Sequence, residues 1–112
     1  MPYSEIDRYI EQHRDDIART LGALIQKKSL NLGDPNTGDE HEVQDYLKEE
    51  LARMGLAVTV DVADDPNREN VTGKLEWQGG GRDLIFNSHA DVVPPGDLSM
   101  WSDDPWSGKI HD

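Results

Sequence analysis

The chain has 112 residues, enough for one small domain with a modest core. Eleven basic against 23 acidic residues give a formal charge of −12, which opposes binding to nucleic acid or anionic lipid. The absence of cysteine excludes disulfides, a thiolate nucleophile and a Cys-type zinc site.

The N-terminal MPYSEIDRYIEQ carries charges where a signal peptide needs an apolar core, and no apolar run reaches membrane-spanning length. The expectation is a cytoplasmic protein. Ile6, Ile10, Ile17, Leu21, Leu24 and Ile25 recur at helical spacing and predict one long helix from Ser4 to Lys28, with Ser4 as N-cap. Gly33, Pro35 and Gly38 mark a loop. A second helix is expected from about Glu40 to Met54, capped by Asp39, with Val43, Leu47 and Leu51 as its apolar stripe and Gly55 ending it.

Leu56 to Val62 alternates and predicts a strand, followed by a turn at Asp64-Asp65-Pro66-Asn67. Val71 to Trp77 predicts a second strand, Gln78 to Arg82 a hairpin connection, and Asp83 to Ser88 a third strand. The third does not alternate, so it should be covered on both faces. From Val92 onward the prolines Pro94, Pro95 and Pro105 oppose helix, and no regular element is expected. Helix, helix and three strands predict an α/β fold, and the doubly apolar last strand predicts the front part of a larger domain.

Several motifs point to chemistry only weakly. His41-Glu42-Val43-Gln44-Asp45 resembles a zinc-binding HExxH helix but ends in aspartate, so the second imidazole is missing. His13 falls between Ile10 and Ile17, where a partly buried, hydrogen-bonded histidine is expected. His111 offers no local pattern. Gly79-Gly80-Gly81 lacks the Lys-Ser/Thr and the helix of a phosphate loop.

His89 and Asp91 are different. Side chains two apart on extended backbone point the same way, and α/β sheets place ligand sites at the carboxyl ends of strands. The pair could be a metal-ligating imidazole with the carboxylate that fixes its tautomer, or a strand end that happens to be polar.

The stretch Leu84-Ile85-Phe86-Asn87-Ser88-His89-Ala90-Asp91-Val92-Val93-Pro94-Pro95-Gly96-Asp97, then Trp101, Pro105-Trp106 and Gly108, resembles one family. It is the co-catalytic zinc hydrolase family that includes acetylornithine deacetylase, succinyl-diaminopimelate desuccinylase, aminoacylase and carboxypeptidase G, with its LLxGHxDVVPxGD signature. Asn87-Ser88 replaces the commoner pair before the histidine, and Trp106 stands where phenylalanine is usual. The order of helices, a second helix ending in Met54-Gly55, and the Asn70-Val71-Thr72-Gly73 segment are similar too.

The resemblance implies that residues 1–112 are the N-terminal portion of a zinc-peptidase-like catalytic domain, two helices and then strands of a mixed sheet. The remaining metal ligands, the general-base glutamate and a dimerisation domain would lie beyond them. It implies His89 as a ligand of one of two zinc ions, cobalt being an alternative ion, and Asp91 as the active-site residue that orients the imidazole. Val92 and Val93 would pack the strand end. The implied reaction is hydrolysis of an amide bond in an N-acyl amino acid or a peptide by a full-length homodimer, with no nucleic-acid or membrane partner. The other reading is a non-catalytic fragment or interaction module derived from the family.

Overall fold

The computed structural model describes residues 3–31, 40–62, 65, 68–77 and 79–111. The expected loop at 32–38, the Asp39 cap, most of the 64–67 turn, Gln78 and Asp112 lie outside the described residues. The chain divides into two compact units, residues 28–94 and residues 1–27 with 95–112. The described elements are three α-helices, a two-stranded antiparallel sheet and one 3-10 turn, compatible with a small α/β architecture.

In the unit of residues 28–94, helix α3 (His41–Arg53) packs on strands β1 (Ala57–Val62) and β2 (Glu69–Lys74). Val43, on the expected stripe, is the buried hydrophobic residue of the described core, and Leu47 and Leu51 are half-buried. The helix ends where the sequence says it should. Gly55 takes φ 85°, its N–H donates to Ala52 O at 2.9 Å, and Leu56 N–H donates to Leu51 O at 3.1 Å. That pair of bonds satisfies two terminal carbonyls and turns the chain directly into β1.

The strands pair with Val58 opposite Gly73 and Val60 opposite Val71. The missing side chain at Gly73 makes room for Leu51 and Leu56, whose methyl groups lie within 3.2 Å of where its Cβ would be. Buried Gln44 ties the helix to the sheet by donating to Glu69 O at 3.0 Å, and Lys48 bridges Asp45 at 2.7 Å and Glu69 at 2.9 Å.

Residues 83–88 do not form the expected third strand, and the sheet is an antiparallel pair rather than a mixed sheet. Leu84, Ile85 and Phe86 are 78, 82 and 90% exposed. A strand apolar on both faces forms its ladder only between neighbours, and none lies on its edges among the described residues. Val92 and Val93 are likewise exposed instead of packing a strand end. The parallel pairing that does occur is an isolated bridge between Leu30 and Val92.

In the other unit the expected single helix is two, α1 (Tyr3–Gln12) and α2 (Arg14–Gln26), and Ser4 lies inside the first turn rather than at the cap. The break is at His13, with φ −116° and ψ 17°. Its N–H is shared between Tyr9 O and Ile10 O, both at 3.1 Å, while its ring Nδ1 donates to the same Tyr9 carbonyl at 2.7 Å. A side chain competing for the i−4 carbonyl tightens the turn locally. The half-buried, bonded state expected for His13 holds. Ile6, Ile10, Ile17 and Leu21 are exposed, so the predicted stripe is not covered along most of its length.

Residues 98–100 form a 3-10 turn, where no element was expected, because the Asp97 carboxylate accepts from Ser99 N–H at 2.9 Å. Trp101 Nε1 donates to Pro95 O at 3.0 Å and folds this segment back on itself. No described helix is long and apolar enough to cross a membrane.

Candidate metal-ligand site

The segment from Ser88 to Asp91 lies in no regular element, yet His89 and Asp91, two residues apart, lie against each other without a sheet to support them. His89 Nδ1 lies 3.0 Å from Asp91 Oδ1 and 2.9 Å from the Asp91 backbone oxygen. Both partners are acceptors, so Nδ1 carries a proton, and in the neutral form of the ring this leaves the lone pair on Nε2. The imidazole is 83% exposed. An exposed Nε2 lone pair on a ring held by a carboxylate is the arrangement a metal-ligating histidine takes.

Asp91 is held from the other side as well. Its Oδ2 accepts from Asn31 Nδ2 at 2.7 Å, and Asn31 Oδ1 accepts from Arg68 Nη2 at 3.2 Å. Arg68 Nε in turn lies 3.6 Å from Glu40 Oε1 and 4.0 Å from Asp65 Oδ2. Asn31's amide is the main cause that holds the Asp91 carboxyl below its ordinary value; desolvation opposes it and His89 reinforces it. The Glu40 carboxyl is pushed up, first by burial and then by the charge of Asp91.

The segment that carries Asn31 is fixed by backbone. Val92 N–H donates to Ser29 O and Asn31 N–H to Val92 O, both at 2.8 Å. Ser29, 4% exposed, adds Oγ to Ala90 O at 2.6 Å. Ser29, Asn31, Glu40 and Arg68 were not singled out by sequence. Asn31 and Asp91 are 60 residues apart, and no local periodicity reports a contact across that distance.

The donor set fits one imidazole ligand and its orienting carboxylate. Among the described residues no three His, Cys, Asp or Glu side chains converge as a metal site, so a complete ligand set is not among them. His41 faces Asp45 at 3.6 Å on the first turns of α3, a surface pair on a helix. In the other unit His111 Nε2 meets Asp103 Oδ2 at 2.8 Å, and Lys109 pairs with the same carboxylate.

The chain is similar to curated proteins named succinyl-diaminopimelate desuccinylase. It is 38% identical over 69 residues to that of Methylocella silvestris, covering 61% of this chain and 18% of the relative. Against one from Methylorubrum extorquens and that of Methylorubrum populi the identities are 32% over 77 and 35% over 79 residues, in each case 68% of this chain and 20% of the relative. The chain thus spans about a fifth of the length of the curated relatives it matches. No family model and no solved structure matches it.

Proposed function

We propose that this chain is the N-terminal portion of the catalytic domain of a zinc-dependent amide hydrolase, in the family that includes acetylornithine deacetylase and succinyl-diaminopimelate desuccinylase. His89 is a zinc ligand through Nε2, and Asp91 fixes its tautomer. The observation that carries this is the Nδ1 bond to Asp91, which in the neutral ring leaves the lone pair on the opposite nitrogen. The likeness to desuccinylases over 61 to 68% of the chain supports it independently.

A bound zinc supplies Lewis-acid polarisation of the scissile carbonyl. The residues of this chain contribute ligand placement. Asp91 keeps a negative acceptor on Nδ1, which raises the basicity of Nε2 and stops the ring from turning. The remaining ligands and the general base belong to the rest of the complete protein, a homodimer on this reading, with two zinc ions per site.

The substrate class is an N-acyl amino acid, with a succinyl amide as the first to test because the relatives carry that name; a peptide is the alternative. The other reading is a non-catalytic fragment or interaction module derived from the family. Hydrolysis of N-succinyl and N-acetyl amino acids and of dipeptides by the complete protein decides. Activity on the acyl series that His89→Ala abolishes is the expected result. No hydrolysis of any of the three substrates, or full activity in the variant, would overturn the reading.

A further inference from the structure

Asp91 uses its two oxygens separately, Oδ1 toward His89 and Oδ2 toward Asn31. A carboxylate tethered at one oxygen can still swing about its last side-chain bond. Anchored at both, its plane is set. The Asn31 amide can make this anchor in one orientation only. Its NH2 must face the carboxylate and its oxygen the Arg68 guanidinium, since the flipped amide would set acceptor against acceptor and donor against donor. Arg68 therefore reinforces the orientation that the Asp91 carboxylate requires of Asn31, and Glu40 and Asp65 hold Arg68 near. The segment Ser29–Asn31 is held beside Ala90–Val92 by three hydrogen bonds, one from Asn31 N–H and two at Ser29, so the amide does not depend on its own contact alone for its place.

We propose that Asn31, oriented by Arg68, is a positioning residue for the His89–Asp91 pair: it fixes the Asp91 carboxylate plane and thereby holds His89 in the tautomer that leaves Nε2 open to a metal. The metal-ligand role of His89 rests on the reading above; the control of the tautomer does not. A purely structural role, in which Asn31 only ties two segments together, makes a different claim. Ser29 would then serve equally, since its hydroxyl ties the same segments without touching the Asp91 side chain.

The test is a long-range ¹H–¹⁵N spectrum of the histidine rings in the complete protein, stripped of metal, labelled on histidine and held at a pH where the rings are neutral. Loss of a signal in His89→Gln assigns His89. In the unsubstituted protein the His89 pattern is that of the Nδ1–H form. Asn31→Leu keeps the volume and removes both polar groups. It should lower the ratio of Nδ1–H to Nε2–H form by about 2- to 10-fold, the worth of one hydrogen bond. Ser29→Ala should leave the ratio unchanged. Should Asn31→Leu disturb the backbone spectrum, Asn31→Ala is read the same way, and Arg68→Met, which leaves Asn31 in place without its orienting partner, should move the ratio in the same direction.

An unchanged ratio in the Asn31 and Arg68 variants overturns the proposal, and so does an equal change in Ser29→Ala. Zinc is then added to the unsubstituted protein. If Asn31 controls the tautomer but zinc leaves the Nε2 signal of His89 where it was, the ligand reading fails while the positioning role stands.

Discussion

At the scale of single residues, Asp91 separates two accounts of the site. As the residue that orients and polarises the imidazole it acts through its negative charge; as a residue that merely stabilises a turn it need only be polar. Asp91→Asn keeps the shape and removes the charge. Losing an orienting carboxylate costs about 10–100-fold in metal affinity or activity, whereas asparagine would serve a turn nearly as well. Steady-state kinetics and zinc affinity of this variant distinguish them, the larger loss being expected. The carboxyl is held below its ordinary value, by Asn31's amide before anything else. Such a group stabilises the fold at pH above its unfolded-chain value and gives that up as pH falls through the lower folded value. Unfolding midpoints measured from pH 7 downward should show the unsubstituted protein losing this contribution in acid and Asp91→Asn lacking that part of the pH dependence.

At the scale of elements, α3 and β1 followed from pattern because their determinants are local: a stripe at Val43, Leu47 and Leu51, a glycine after the helix, alternating valines; the second strand exists but runs Glu69–Lys74 instead of the expected Val71–Trp77, leaving Leu75 and Trp77 exposed. The break at His13 did not follow from pattern, since periodicity carries no information about a ring reaching back to Tyr9 O. The third strand failed for the opposite reason. Its apolar run was recognised correctly, but a ladder depends on partners that pattern within residues 83–88 cannot supply. Close approach of backbone is equally invisible to pattern. Gly108 has φ 62°, and a Cβ there would stand 2.8 Å from Gly22 O on α2, beside the bond from Gln26 Nε2 to Ser107 O at 3.0 Å. Gly108→Ala should lower stability by about 1–3 kcal/mol, through strain and overpacking against rigid backbone. Gly80→Ala, with open space around it, should lie within about 0.5 kcal/mol of the unsubstituted protein. Urea unfolding of the two variants checks both values.

At the scale of the whole molecule, the His89–Asp91 pair was legible because its members stand only two residues apart in the chain. Asn31 and Arg68 were not, because they reach Asp91 only after folding brings together residues 31, 68 and 91. Exposed Leu84–Phe86 sets a further consequence. An exposed, unpaired segment of this apolarity invites pairing with other chains. Residues 1–112 expressed alone should associate, despite a formal charge of −12, and should bind zinc weakly. Sedimentation velocity checks the first statement, and Ile85→Lys, on the exposed run, should shift the distribution toward monomer; a chain that stays monomeric at high concentration would remove this segment as the cause.

The central claim is that His89 ligates the metal through Nε2. It is tested most directly by the zinc bound per chain in the complete protein and in His89→Ala, measured by elemental analysis after dialysis against zinc-free buffer. Two zinc ions in the unsubstituted protein, and at least one fewer in a folded variant, is the expected result. Equal zinc content in the two proteins would contradict it.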